Sequence, residues 1–355
     1  MNNTINKTNL DFQLPKILEC SSPTEVRNLK RDEVKLMVSE RHNDKITHTQ
    51  FSNIDHFLTK NNVLVVNTSG TINAALKTTL PNNEDGRIHL STQISKNEWI
   101  AEIRKVVDNK TVRYTDIEEN QILSIPNNHH IKIVSPFYDE NRNKQHLQLW
   151  KISFFGIDNM DEYLNKYGQA IAYSNVDVEY PQSYYQTVFA KEMGSSEMPS
   201  AGRAFTPYLI EKLKAKGVKI VPILLHTGVS SLEANEKPYP EYFEVSKETA
   251  NALNEYTLQG KRIIAVGTTA IRAVESATNK KGKVQAQKGW TNLFITPANG
   301  IKIIDGMLTG FHEPKASHLL MMQALATTEH LSICYNQAIE NSYKWHEFGD
   351  MHLLM

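Results

Sequence analysis

The hydrophobic period changes twice along the chain, and this constrains the fold more than any other feature. From about Ala75 to Asn175 apolar residues alternate with polar ones in short runs. Examples are Arg87-Ile-His-Leu-Ser-Thr, Glu98-Trp-Ile-Ala-Glu-Ile, His130-Ile-Lys-Ile-Val and His146-Leu-Gln-Leu-Trp-Lys-Ile. Polar turns such as Pro81-Asn-Asn-Glu-Asp-Gly86 separate them. Period two at this spacing predicts a small all-β module. On either side, continuous apolar runs alternate with helical stretches. Val34 to Ser39, Val63 to Val66, Val218 to Leu225 and Arg262 to Val266 read as strands. Phe51 to Leu58, Lys247 to Gln259, Ala270 to Ala277 and Pro314 to about Ala326 read as helices, and Asp161 to Tyr167 is the one short helical stretch near the end of the β module. A further helix runs from Thr206 to Gly217, with Thr206 as N-cap, Pro207 in the first turn and Gly217 beyond the end. The expected fold is therefore an α/β (α+β) main domain formed by both chain ends, 1–74 and 180–355, with an inserted all-β, barrel-like domain over 75–179.

Five polar clusters could carry chemistry. Tyr184-Tyr-Gln-Thr-Val-Phe189 leads into the small-residue stretch Gly194 to Thr206, which is either an anion-holding loop or an ordinary helix entry. His226 follows a predicted buried strand and is either a general base or a buried histidine bonded to a backbone carbonyl. In Gly267-Thr-Thr-Ala-Ile-Arg-Ala-Val-Glu275, Arg272 and Glu275 share a helix face, and Thr268 and Thr269 either cap the helix or bind a ligand hydroxyl. The bland alternative for Arg272 and Glu275 is an exposed ion pair worth under about 1 kcal/mol. His312, Glu313, Lys315 and His318 surround a helix start. The spacing of the two histidines is wrong for a zinc protease helix. Trp345 to Asp350 is either a docked functional segment or a turn and strand that seals the core.

Bulk properties narrow the classes. The chain has 355 residues, with 39 Lys plus Arg against 39 Asp plus Glu. That balance argues against tight nonspecific grip on nucleic acid but leaves room for a local basic patch. Cys20 and Cys334 are the only cysteines, too few for a disulfide framework or a cysteine zinc site, and they suit a reducing cytoplasm. The polar N-terminus has no apolar h-region, and no apolar run reaches the roughly 20 residues needed to span a bilayer. Dinucleotide, Walker and nucleophile-elbow glycine patterns are missing.

In order along the chain, Val65-Val-Asn-Thr, Tyr185-Gln-Thr-Val-Phe-Ala, Pro199-Ser-Ala-Gly-x-x-Phe-Thr, Leu225-His-x-Gly, Ile264-Ala-Val-Gly-Thr-Thr-x-x-Arg, Gly310-Phe-His-x-Pro-Lys-x-Ser and Phe348-Gly-Asp resemble the S-adenosylmethionine:tRNA ribosyltransferase-isomerase family. The resemblance runs from Phe12 to the C-terminus. It implies an α/β domain with a barrel-like insertion, acting in queuosine biosynthesis. The family moves the ribosyl part of S-adenosylmethionine onto a 7-aminomethyl-7-deazaguanine in tRNA, and adenine and methionine leave. S-adenosylmethionine is thus the expected co-substrate, without a metal. The positively charged sulfur acidifies its neighbouring carbon, so a modest general base could start the reaction.

The resemblance implies roles for particular residues. His226 and His312 are the candidate bases and Lys315 a charge stabiliser. Gly267, Thr268, Thr269, Arg272 and Glu275 are expected at the adenosyl ligand, and Tyr185, Gln186, Ser200 and Gly202 at the substrate. The departures are local. Where the family carries Asp-Thr-Arg and then Pro-Ala-Arg, this chain has Thr68-Ser-Gly70 and onward to Leu76. A family histidine is Ala204 here. The family's Gly-x-Gly-Thr-Phe is Gly228-Val-Ser-Ser-Leu, and of a His-x-Met-His-x-Glu run only Glu244 remains. The lost arginines and neutral charge open one alternative to the family reaction, a diverged paralogue with a small-molecule acceptor, and Ala204 with the lost Asp opens another, a non-catalytic adenosyl-ligand binding protein. A cytoplasmic protein, monomeric or weakly oligomeric and away from membranes, completes the expectation.

Overall fold

The structure, a computed structural model, describes residues 10–108, 110–137, 149–172, 176, 178–229 and 238–355. In chain order the strands are β1 (Lys35–Glu40), β2 (Lys45–Gln50), β3 (Asn62–Asn67), β4 (Ser69–Thr71), β5 (Ala75–Thr79), β6 (Asp85–Gln93), β7 (Glu98–Val107), β8 (Lys110–Arg113), β9 (Ile122–Ile125), β10 (His129–Pro136), β11 (Trp150–Phe155), β12 (Glu192–Ser195), β13 (Lys219–Leu225), β14 (Glu241–Val245), β15 (Arg262–Val266), β16 (Gln287–Thr291), β17 (Gly306–Gly310) and β18 (Met351–Leu354). The helices are α1 (Met160–Tyr167), α2 (Pro207–Ala215), α3 (Lys247–Leu258), α4 (Thr268–Ser276), α5 (Ser317–Gln323) and α6 (Thr328–Glu340). Two compact units result. One takes the described residues of Met1–Asn67, Ser200–Leu224 and Ser231–Met355, the other those of Thr68–Pro199 and Leu225–Ser230.

The first unit is built on a nine-stranded mixed sheet in the order β16-β14-β13-β3-β15-β17-β18-β1-β2. Strands β13, β3, β15 and β17 run parallel. All six residues of β3 are buried, as expected of a strand covered on both faces, and α3 and α4 pack on β15. Helix α2 begins where the sequence marks it: Thr206 Oγ1 accepts from the Leu209 N–H at 3.2 Å, and Gly217 takes φ +84° to end the turn. The 51–58 stretch folds as a 3-10 helix over Phe51–His56 rather than an α-helix. Of the helix expected from Pro314, only Ser317–Gln323 is helical. The reason lies in Lys315, whose backbone sits at φ +63° and cannot belong to a right-handed helix. Trp345 and Phe348 are fully buried, which fits the second of the two alternatives for this segment, a turn and strand that seals the core.

The second unit is an antiparallel barrel-like sheet ordered β5-β6-β7-β11-β10-β9, with β8 paired to β7. β5 lies against β9, so the two ends of the order meet. Leu76, Ile88, Leu90, Ile103, Ile131, Ile133, Ile152 and Phe154 fill its interior. A small parallel pair, β12 with β4, completes the unit. The mixed α/β fold with an all-antiparallel, barrel-like insertion is the architecture expected from the hydrophobic periods.

Two buried histidines give the fold a pH signature. Burial, then the positive charges of Arg104 and Arg87, depress His89 to about 3. Burial, then His330, holds His352 at about 3. A histidine with an ordinary value of 6.5 when unfolded takes up a proton below that pH only in the unfolded chain, so folding stability falls as pH drops from 6.5 towards 3. The expected loss is up to about 1.4 kcal/mol per pH unit for each histidine. Urea midpoints measured at pH 7.5 and pH 5 check this; equal midpoints would contradict it.

Candidate functional site

In the first unit, the carboxyl ends of parallel strands are where α/β sheets place ligands. At the end of β15, Gly267 turns the chain at φ +87° into α4. A side chain there would be strained by that angle, and a Cβ would also meet Ala201 Cβ at 3.1 Å. This close approach sets the 3-10 turn Ser200–Gly202 beside the start of α4. Helix α4 has no side-chain cap, so its first-turn N–H groups are available to an anionic or hydroxyl partner. Asn67, the last residue of β3, donates from Nδ2 to Thr269 Oγ1 at 3.3 Å. The sequence-derived residues Gly267, Thr268, Thr269, Ser200 and Gly202 are thus brought together.

Arg272 and Glu275 are both buried and do not form the exposed pair that their spacing allowed. Arg272 donates to the carbonyls of Leu293 (3.1 Å), Thr291 (3.1 Å) and Tyr239 (3.3 Å) and pairs with Glu241. Glu275 accepts the backbone N–H groups of Lys302 and Ile303, each at 3.0 Å. Their polar atoms thus hold the loops around α4.

At the end of β17, His312 Nε2 lies 2.8 Å from Thr309 Oγ1. Its ring stacks on His318, with centroids 4.6 Å apart and planes 6° from parallel. Burial, then the neighbouring His318, His346 and His352, hold His312 well below its ordinary value, so the ring is neutral at physiological pH. Lys315 is half-exposed and paired with Asp11 at 3.0 Å.

The second unit holds His226. Thr227 N–H donates to Ser195 Oγ at 3.0 Å, Ser195 Oγ lies 2.6 Å from Ser69 Oγ, and Ser69 Oγ lies 2.7 Å from His226 Nδ1. A chain running from Thr227 through Ser195 and Ser69 to Nδ1 gives each hydroxyl hydrogen an acceptor. In that arrangement the ring proton sits on Nε2, making that nitrogen a donor. Burial lowers the His226 pKa, which keeps the ring neutral. The ring lies flat against Gly194, where a Cβ would fall 2.5–2.8 Å from three ring atoms. Gln186 braces β4, accepting from Thr71 N–H at 3.0 Å and donating to Thr71 O at 2.6 Å, while the Tyr185 carbonyl accepts from Thr71 Oγ1 at 2.8 Å. Ser69 and Ser195 escaped the reading of the sequence; a serine pair so far apart carries no local signal.

The departures from the family motifs have structural occupants. Gly70, at a position where the resemblance expects arginine, has Met193 Sδ 2.5 Å from where its Cβ would be. Arg203, beside Ala204, is buried over the Phe348 ring at 4.9 Å and pairs with Glu25 at 2.6 Å. Burial alone would raise the Glu25 carboxyl, but hydrogen bonds led by Arg203 hold it at about 2. Of Gly228-Val-Ser-Ser-Leu, the last three residues lie outside the described residues.

Residues 7–354 match the family described as queuosine biosynthesis protein. The chain belongs to that family. A protein named S-adenosylmethionine:tRNA ribosyltransferase-isomerase from Carboxydothermus hydrogenoformans is 32% identical over 97% of this chain and 98% of its own. One of the same name from Macrococcus caseolyticus is 32% identical, with 96% and 97% covered. A crystal structure of S-adenosylmethionine tRNA ribosyltransferase from Thermotoga maritima, 26% identical, aligns over 98% of this chain and 99% of that one with a TM-score of 0.54. Among the described residues no helix is long and apolar enough to cross a membrane, and no group of three or more His, Cys, Asp or Glu is placed to hold a metal ion.

Proposed function

We propose that this chain is an S-adenosylmethionine:tRNA ribosyltransferase-isomerase, transferring the ribosyl part of S-adenosylmethionine to a 7-aminomethyl-7-deazaguanine in tRNA. The observation that carries this reading is the family match across residues 7–354, nearly the whole chain. S-adenosylmethionine is the co-substrate, no metal takes part, and the enzyme works in the cytoplasm as a monomer or weak oligomer. The division into a main domain over 1–74 and 180–355 and an insert over 75–179 belongs to the same reading.

The uncapped start of α4, with Gly267, Thr268 and Thr269, supports a role in receiving the adenosyl ligand, helped by Ser200 and Gly202. Arg272 and Glu275 act on that ligand by holding the surrounding loops. Tyr185 and Gln186 serve the substrate by bracing β4, the strand that carries Ser69. His312, neutral and held by Thr309, is the better base for the carbon beside the sulfonium. His226, with its proton on Nε2, suits donation to a developing negative charge. Lys315 adds positive charge beside the His312 segment.

The test is incubation of the pure protein with S-adenosylmethionine, with and without tRNA carrying the deazaguanine precursor, followed by chromatography for adenine and methionine. Release that requires the tRNA is expected. Release without it would favour a small-molecule acceptor, and no release would favour an adenosyl-ligand binding protein.

A further inference from the structure

Strand register in the barrel creates a row of like charges that sheet stability alone disfavours. Lys77 lies directly opposite Arg87, Arg87 opposite Arg104, and Arg104 opposite Arg113. Four cations therefore stand side by side across β5, β6, β7 and β8. Like charges at directly opposed positions are destabilising. The interior positions Leu76, Ile88 and Ile103 neighbour them in sequence, so the alternation of the strands turns the cations outward. At roughly 4.8 Å between strands, the row is about 14 Å long.

The open end of the row, Lys77 and Arg87, keeps its charge. Glu102, buried, takes Arg104 at 2.8 Å and Arg113 at 3.5 Å. Arg104 is further fixed by donating to Thr111 Oγ1 at 2.9 Å and Thr111 O at 2.8 Å. Lys77 is exposed, and Arg87 is partly exposed and donates to the Gly86 carbonyl at 3.0 Å. Among the described residues neither has a carboxylate at ion-pair distance. A chain with no net charge thus places, at Lys77 and Arg87, positive charge that no described carboxylate balances, in line with two further arginines.

We propose that this row is a docking surface for the phosphodiester backbone of the acceptor RNA. The inference rests on the reading that tRNA is the substrate, and it names where the chain grips it. A straight row of cations a few ångströms apart complements a run of successive phosphates, each of which would otherwise hold a counterion. Arg104 and Arg113, anchored through Glu102, form the rigid half. Lys77 and Arg87 form the open half, which is where substitution removes charge without disturbing a buried pair.

The test compares the wild type, the double variant Lys77→Gln/Arg87→Gln and a control, Lys96→Gln, in an exposed turn of the same unit. Two quantities are read: binding of a fluorescently labelled tRNA transcript over a salt series, and adenine release with precursor-bearing tRNA. The double variant is expected to bind about ten-fold more weakly at low salt, with a slope of log K against log salt shallower by about 1.5. Its KM for tRNA should rise while kcat stays near wild type, and the control should match wild type in both. A wild-type enzyme that turns over tRNA, with a double variant of unchanged KM and salt slope, would overturn the docking row and leave the ribosyl-transfer reading intact. A wild type that neither binds nor turns over tRNA at any salt would overturn both.

Discussion

Gly194→Ala is expected to lower kcat/KM for tRNA-dependent adenine release by about 100-fold, close to the effect of His226→Ala, while the protein stays folded. The added methyl would lie 2.5 Å from His226 Cε1 and 2.6 Å from Nδ1. The imidazole cannot share that space and keep its hydrogen bond to Ser69 at 2.7 Å. It must swing away and lose the Thr227–Ser195–Ser69 chain that sets its proton on Nε2. Ser69→Ala leaves the ring in place but frees its tautomer, so a smaller loss, about ten-fold, is expected. Steady-state kinetics on the three variants, with circular dichroism to verify folding, checks the series. A folded Gly194→Ala enzyme with full activity would remove His226 from the chemistry.

Arg272→Met is expected to destabilise the protein by about 3–5 kcal/mol, the range for breaking a buried ion pair from one side. The methionine fills much of the volume but supplies no donor. Glu241 loses the guanidinium, and the carbonyls of Leu293, Thr291 and Tyr239 lose a donor. Burial lowers the Arg272 pKa only to about 10, so the guanidinium is charged at neutral pH and the loss is that of a true ion pair. Urea unfolding followed by fluorescence gives the shift. A midpoint within error of wild type would show that the loops around α4 stand without this clamp.

Much of this architecture is written locally. Thr206, Pro207 and Gly217 mark both ends of α2 because capping and left-handed turns depend on neighbours a few residues away. The period-two runs between about Ala75 and Asn175 announce the barrel for the same reason. The α4 turn was readable because Gly267 answers a backbone demand at that point. What escaped depends on distant partners. Helical spacing placed Arg272 and Glu275 on one face, yet Arg272 pairs with Glu241 and Glu275 with the backbone at Lys302 and Ile303. No local pattern reveals partners so far along the chain. Strands β14 and β16 were likewise not foreseen, since they pair only with elements distant in sequence. The basic row stayed hidden because its residues come from four strands and align only once register is known.

The last strand carries a consequence for how the protein is made. β18 sits inside the nine-stranded sheet, parallel to β1 on one side and antiparallel to β17 on the other. A growing chain therefore cannot finish this sheet until Met351–Leu354 have been synthesised. Until then β1 and β2 lack the strand that joins them to β17, and an apolar sheet edge waits unpaired. Translation order thus makes the sheet of the first unit late to close, dependent on β18 leaving the ribosome before a neighbouring chain reaches the open edge.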